Sequence, residues 1–215
     1  MPISTVGRTL RRLGLGRLRA LELRRPVIRY ERARPGELLH LDAKKLGRFR
    51  RVGHRIHGRR RHFTDRVGWE TVFVAIDDAT RVAYAEIQPA ESGVWAAAFL
   101  ERAARWFGHL GVRIERVMTD NAWAYRSGPF RGVVAALGAR HLATRPYTPR
   151  TNGKAERFIQ TCLREWAYHR IYQSSAARAA ALPAFLRRYN VERPHTALQR
   201  RPPLARLLEL SEQRP

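Results

Sequence analysis

A chain of 215 residues is long enough to bury one sizeable core. Its 42 Lys and Arg face only 18 Asp and Glu, and the resulting net charge of +24 makes a polyanion, nucleic acid first, the partner to consider. No apolar run approaches the ~20 residues of a membrane span, the basic N-terminus lacks an apolar block of signal-peptide length, and a single cysteine excludes an intrachain disulfide or a cysteine-based zinc site.

Lys44, Lys45 and Lys154 are the only lysines, so arginine supplies all but three of the 42 cations. A codon bias accounts for arginine over lysine but not for the deficit of acids. Cys162 reads as a buried structural thiol, and a reducing cytoplasm, with the protein associated with the nucleoid, is the expected location.

In chain order, residues 1–35 form a basic segment. Ser4 is placed to cap a short helix carrying Val6, Leu10 and Leu13 and ended by Gly14. This segment reads equally as a remnant of a helix-turn-helix DNA-binding domain plus linker or as a basic tail. Residues 36–205 hold the main domain, and 206–215 a C-terminal tail.

Glu37–Gly47 reads as a first strand. Arg48–Arg66 follows as a basic loop or hairpin extension with eight arginines and three histidines, His54, His57 and His62. No carboxylate or thiol accompanies those histidines at ligand spacing, so solvated or phosphate-facing side chains are expected. Glu70–Asp77 and Val82–Ile87 are strands rich in β-branched and small apolar residues, joined by a tight turn at Asp78–Arg81. Ser92 caps a helix to Phe107 that Gly108 and Gly111 stop. Arg113–Thr119 is a strand that delivers Asp120, Ser127–Leu137 a short helix closed by Gly138, and Ala139–Ala143 a brief strand. Tyr147–Gly153 is turn chemistry. Thr151 or Asn152 caps a long helix to about Tyr168. A last helix covers about Ser175–Tyr189, and a proline-punctuated tail follows. The order β-β-β-α-β-α-β-α-α implies an α/β sandwich around a mixed sheet.

Acids are scarce, so their positions carry weight. Asp42 sits in mid-strand, where aspartate has poor β propensity and destabilises if buried unpaired. Asp120 ends an apolar strand, and Glu156 lies in the first turns of a helix. Taken singly, Asp120 reads as a turn former and Glu156 as a complement to the helix dipole. At 100° per residue, Phe158, Ile159, Cys162, Leu163 and Trp166 make one apolar arc with Glu156 at its margin, while Arg157, Gln160 and Arg164 form the polar flank beside it.

The fragments His40-Leu-Asp42, Thr119-Asp120-Asn121 and Asn152-Gly-Lys-Ala-Glu156-Arg157, with 35 residues between the last two acids, form an ordered set. Ile76-Asp77-Asp78-Ala-Thr-Arg81, Tyr147-Thr-Pro-Arg-Thr-Asn-Gly and Tyr189-Asn190-Val-Glu-Arg193-Pro194-His195 accompany it. Over residues 37–205 the chain resembles the D,D-35-E catalytic core shared by bacterial insertion-sequence transposases and retroviral integrases. It departs in having Ala122 where many relatives have glycine, and in lacking the full N-terminal DNA-binding region that the family usually carries.

The resemblance implies an α/β, RNase H-like fold with a mixed five-stranded sheet sandwiched by helices. It also implies a polynucleotidyl transferase that cuts and joins DNA without a covalent protein–DNA intermediate. Asp42, Asp120 and Glu156 become the catalytic and metal-holding residues for two Mg²⁺ or Mn²⁺ ions, Asp42 bridging both, Asp120 holding one and Glu156 the other. Three carboxylates in one pocket repel one another without such a counter-ion. Lys44, Lys45, Asn121, Lys154, Arg157, Gln160 and Arg164 are the candidate DNA contacts. Trp123 and Tyr125 read either as base-stacking or as core residues, and Arg193 and His195 as capping or DNA-contacting. Asp77 and Asp78 are expected to be structural. The implied partners are transposon ends and target DNA, with at least a dimer of the chain on DNA and no membrane. A nuclease that only hydrolyses and a catalytically silent, transposon-derived DNA-binding protein are the rival readings.

Overall fold

Period-two alternation builds the centre of the molecule. In the computed structural model, which describes residues 2–16, 31–52, 67–144 and 152–213, five strands form one sheet: β1 (Leu39–Gly47), β2 (Trp69–Asp77), β3 (Ala83–Gln88), β4 (Arg116–Thr119) and β5 (Arg140–Ala143). The strand order is β3-β2-β1-β4-β5. β1 pairs antiparallel with β2, as does β2 with β3, whereas β1–β4 and β4–β5 are parallel. The sheet is therefore mixed and five-stranded, as expected from the sequence.

Both faces are covered. Leu39, Leu41, Phe73, Ala75 and Val117 face one core with Phe99, Phe107 and Phe130, which come from α2 (Gly93–His109) and α4 (Gly128–Ala136). Leu46, Val72, Val74 and Ile76 face the other with Phe158, Trp166, Phe185 and Tyr189, from α5 (Gly153–Cys162), the turn after it and α7 (Leu182–Val191). β2 lies between both cores, which is why Val72 to Ile76 is a continuous apolar run.

Several boundaries differ from the sequence reading, each for a local reason. Ser92 caps α2 as expected, accepting from the Trp95 N–H, and Ser127, expected as the first residue of its helix, instead caps α4, accepting from the Phe130 N–H. Asn152 occupies the cap position of α5 but makes no cap hydrogen bond, because its amide is engaged elsewhere. A one-turn helix, α3 (Trp123–Arg126), sits after β4. α5 continues as a π-helical turn, Leu163–Ala167. The expected single helix from Ser175 is two, α6 (Ser175–Ala180) and α7, with Pro183 in the first turn of the second, where a missing N–H does no harm. The expected tail boundary at 205 falls inside α8 (Pro203–Glu212), whose Leu207 is buried in the first core.

Gly36 shows why a glycine precedes the first strand. Its φ is +79°, and a Cβ there would run into the Arg113 carbonyl. Its N–H donates to Asp77 Oδ1 at 2.8 Å and its carbonyl accepts from Glu115 N at 2.8 Å. At the outer edge of the sheet, Asn190 of α7 donates to the Ala83 carbonyl at 2.8 Å and accepts from the Ala83 N–H at 2.9 Å. An ion pair lies inside the second core's rim: Arg178 of α6, with 2 % of its side chain exposed, donates to Glu70 at 2.7 Å and to the Gly47 carbonyl at 2.7 Å.

The chain divides into two units, Met1–Tyr30 and Glu31–Pro215, and the sheet belongs to the second. The first contains α1 (Ile3–Arg12), which buries no residue. Ser4 lies within that helix rather than capping it, because the chain turns helical directly after Pro2, whose ring cannot supply a cap bond. Gly14, at φ +74°, follows the end of the helix.

Candidate active site

The strand register brings two acids together. The β1–β4 ladder pairs Leu39 with Val117 and His40 with Met118. That ladder points the residue directly after β4, Asp120, towards the stretch of β1 that holds Asp42. Parity fixes the face. Leu39 and Leu41 belong to the first core, so Asp42 takes the opposite face, which α5 covers. α5 carries Glu156 in its first turn, where the helix dipole favours a carboxylate.

The electrostatics of Asp42 record this proximity. Burial, and then the negative charges of Asp120, Glu156 and Glu91, push its carboxyl up to about 6, against the opposing hydrogen bond from Ala43 N at 2.8 Å. Asp120 is exposed, and its Oδ1 accepts from Ala122 N at 2.9 Å. Glu156 is exposed too. Among the described residues, no three His, Cys, Asp or Glu side chains stand close enough, as placed, to hold a metal ion. The donor set itself is all carboxylate oxygen, which suits a hard divalent cation.

The candidate DNA contacts separate into groups. Arg157, Gln160 and Arg164 are exposed along α5 and its π-helical extension, as the helical wheel implied, while Phe158, Ile159, Cys162 and Trp166 are buried. Lys44 is exposed on the face of Asp42. Lys45 takes the opposite parity and pairs with Glu91 at 3.5 Å. Asn121 donates to the Thr144 carbonyl at 2.7 Å, tying the Asp120 loop to the end of β5. Lys154 turns inward, and its Nζ meets Asp78. Trp123, three residues after Asp120, is 75 % exposed, whereas Tyr125 is buried against Phe73 and Phe130, so the two aromatics part company. Arg193 forks onto Glu165 at 2.7–3.0 Å and is thereby structural. Burial and the nearby Arg81 and Arg193 push His195 down to about 4. Cys162 is buried, and burial pushes its thiol up. The expected Arg48–Arg66 segment and the Tyr147–Gly153 turn lie largely outside the described residues.

Two features escaped sequence reasoning. Glu91, just before the Ser92 cap, acts electrostatically on Asp42, and only the fold reveals this. The second is a buried polar network. Asp78 Oδ1 accepts from His40 Nε2 at 2.7 Å and from Lys154 Nζ, and Asp78 Oδ2 accepts from Arg32 N at 2.7 Å. Burial opposes the Asp78 charge, but these donors outweigh it and hold the carboxyl well below the usual range. Asp77 is structural as expected: it accepts from Gly36 N, Thr80 N and Thr80 Oγ1, and burial pushes its carboxyl up.

Comparison with known proteins follows the same lines. Two family models, both described as integrase core domain, match residues 32–149 and 137–203. A chain of the simian T-cell lymphotropic virus intasome, solved in complex with PP2A regulatory subunit B56 gamma, is similar with a TM-score of 0.62 and 21 % identity, over 85 % of this chain and 58 % of that one. The chain thus spans little more than half the length of that relative. The catalytic core domain of BIV integrase is similar with a TM-score of 0.56 and 16 % identity, over 82 % of this chain and 97 % of that one. No curated protein sequence matches the chain. Among the described residues no helix is long and apolar enough to cross a membrane. The fold is RNase H-like, as in these integrase cores. With residues 32–149 matched in a single alignment, more than half of its length, the chain belongs to the integrase core domain family.

Proposed function

We propose that the chain is the catalytic core of a DNA transposase of the insertion-sequence type, which cuts transposon ends and joins them to target DNA. The observation that carries this reading is electrostatic: Asp120, just past the end of β4, and Glu156, in the first turn of α5, both make Asp42 of β1 harder to ionise. Asp42 with Asp120, and Asp42 with Glu156, would hold two divalent cations. A bound pair supplies Lewis-acid activation of a water or a DNA 3′-OH and stabilisation of the leaving 3′ oxygen. The protein's share is placement. β1 carries Asp42, the turn directly after β4 carries Asp120, and the first turn of α5 carries Glu156.

Arg157, Gln160, Arg164 and Lys44, all exposed, contact phosphates, and each phosphate that an Arg or Lys neutralises releases counterions. Trp123, exposed three residues after Asp120, stacks on an unpaired base near the cut. Trp123→Ala should weaken binding of single-stranded or splayed ends by about 1–3 kcal/mol with the melting temperature unchanged. Equal affinity of the two proteins for such ends, measured by fluorescence anisotropy, removes Trp123 from the DNA surface. Two ends cut together imply at least a dimer on DNA.

The reading is tested with pre-cut, labelled transposon ends, Mg²⁺ and a target plasmid. Joined product is expected. Hydrolysis without joining would mean a nuclease, and DNA binding without any metal-dependent nicking would mean a silent DNA-binding relic.

A further inference from the structure

The helix that carries Glu156 is held against β1 in two different ways. Ala155, Phe158 and Ile159 pack it on the second core, a contact that is not directional and tolerates small slides. The polar network is directional. Its hub is Asp78, fully buried in the turn between β2 and β3. One hub oxygen accepts from both His40, two residues before Asp42, and Lys154, two residues before Glu156. Asn152 adds a second strap: its Oδ1 lies 3.1 Å from His40 Nδ1, and its Nδ2 donates to the Leu41 carbonyl at 2.9 Å. Each strap ties the start of α5 to the strand residues immediately preceding Asp42.

A buried charged cluster is a poor source of stability, since its desolvation offsets most of its attraction. What it fixes is geometry. Apolar packing alone leaves the rotation and height of α5 loosely set, and an error of about 1 Å at a reacting centre can lower its rate ~100-fold. We propose that Asp78 is a positioning residue, which sets the separation of Asp42 and Glu156 by clamping His40 and Lys154 to one carboxylate. The inference rests on the reading of Asp42 and Glu156 as joint cation ligands, and its test separates the two ideas.

Three proteins are compared with the parent: Asp78→Asn, Lys154→Met, and Ile159→Val as a packing control. Mn²⁺ binding is read from the loss of the free-ion electron paramagnetic resonance signal, and strand joining is followed against Mg²⁺ concentration. Lys154→Met and Asp78→Asn should need roughly 10- to 100-fold more cation for half-occupancy, the usual effect of losing a group that orients a ligand. Ile159→Val should leave occupancy unchanged even where it melts earlier, and Lys154→Arg should restore much of the loss. A second readout needs neither metal nor activity. With Asp42→Cys and Glu156→Cys in one chain, a short thiol cross-linker should bridge the pair more slowly when Asp78→Asn is added. Unchanged cross-linking, or Mn²⁺ occupancy within a factor of two of the parent in Lys154→Met, overturns the clamp. A parent that binds no Mn²⁺ overturns the function proposed above, while the cross-linking rate still decides the clamp.

Discussion

Asp42→Asn, Asp120→Asn and Glu156→Gln should each abolish strand joining, with a loss of at least about 1,000-fold, while DNA binding holds or tightens. The size follows from what a cation pair contributes to an in-line displacement: several kcal/mol of charge stabilisation, at about 1.4 kcal/mol per tenfold in rate. The preserved binding follows from sign. Each substitution removes a negative charge from a surface that must accept phosphates, so repulsion falls. Each amide is also nearly isosteric with its acid. Asp42 is where this matters most, because burial and three neighbouring carboxylates already oppose its ionisation. Asp42→Asn should therefore melt no lower than the parent, which separates lost chemistry from lost fold. The checks are a joining assay on labelled pre-cut ends, a gel shift on the same ends and a thermal melt. Near-parental joining by any one variant would remove that residue from the site.

Arg178→Met should destabilise the protein by roughly 3–5 kcal/mol, the usual consequence of leaving one member of a buried ion pair alone. Arg178 and Glu70 are both nearly inaccessible, and the pair joins α6 to β2 while a further bond reaches the Gly47 carbonyl at the end of β1. Arg178 also lies 5.1 Å from the Phe49 ring, and its own carbonyl accepts from Trp166 Nε1 at 2.9 Å. For a chain of this length the loss lowers the melting temperature by about 2–4 °C per kcal/mol. Adding Glu70→Leu should recover much of it, because an apolar pair carries no desolvation burden. Denaturant melts of the two single variants and the double variant close the cycle. A single variant that loses less than about 1 kcal/mol would show the pair to be solvated.

The parts of the site that could be read from the sequence are those with a fixed local grammar. A mid-strand aspartate, a strand-end Asp-Asn and a glutamate on the edge of an amphipathic helix each leave a pattern in one short window. Their order along the chain then ties them together. Ser92 was legible as a cap for the same reason. What stayed hidden depends on contacts between distant residues. Nothing near His40 indicates that its ring will meet Asp78 and Asn152, or that the Lys154 amine will reach the same buried carboxylate. Lys44 and Lys45 are adjacent in sequence, yet strand parity sends them to opposite faces. Asn152 has the composition of a cap, but tertiary hydrogen bonds claim its side chain. The π-helical turn at Leu163–Ala167 inserts a residue's worth of rotation into a helix that periodicity reads as regular. Pro202 and Pro203 read as punctuation in a tail, whereas they start a helix.

Asn190 has a consequence for how copies of this molecule can meet. β3 is a border strand, and an uncovered border of a sheet invites a second chain to add itself by backbone pairing. The outward N–H and carbonyl of Ala83 are already taken by one amide side chain that mimics a strand's own donor and acceptor. Recruitment of a neighbour along that border is thereby denied at its first residue.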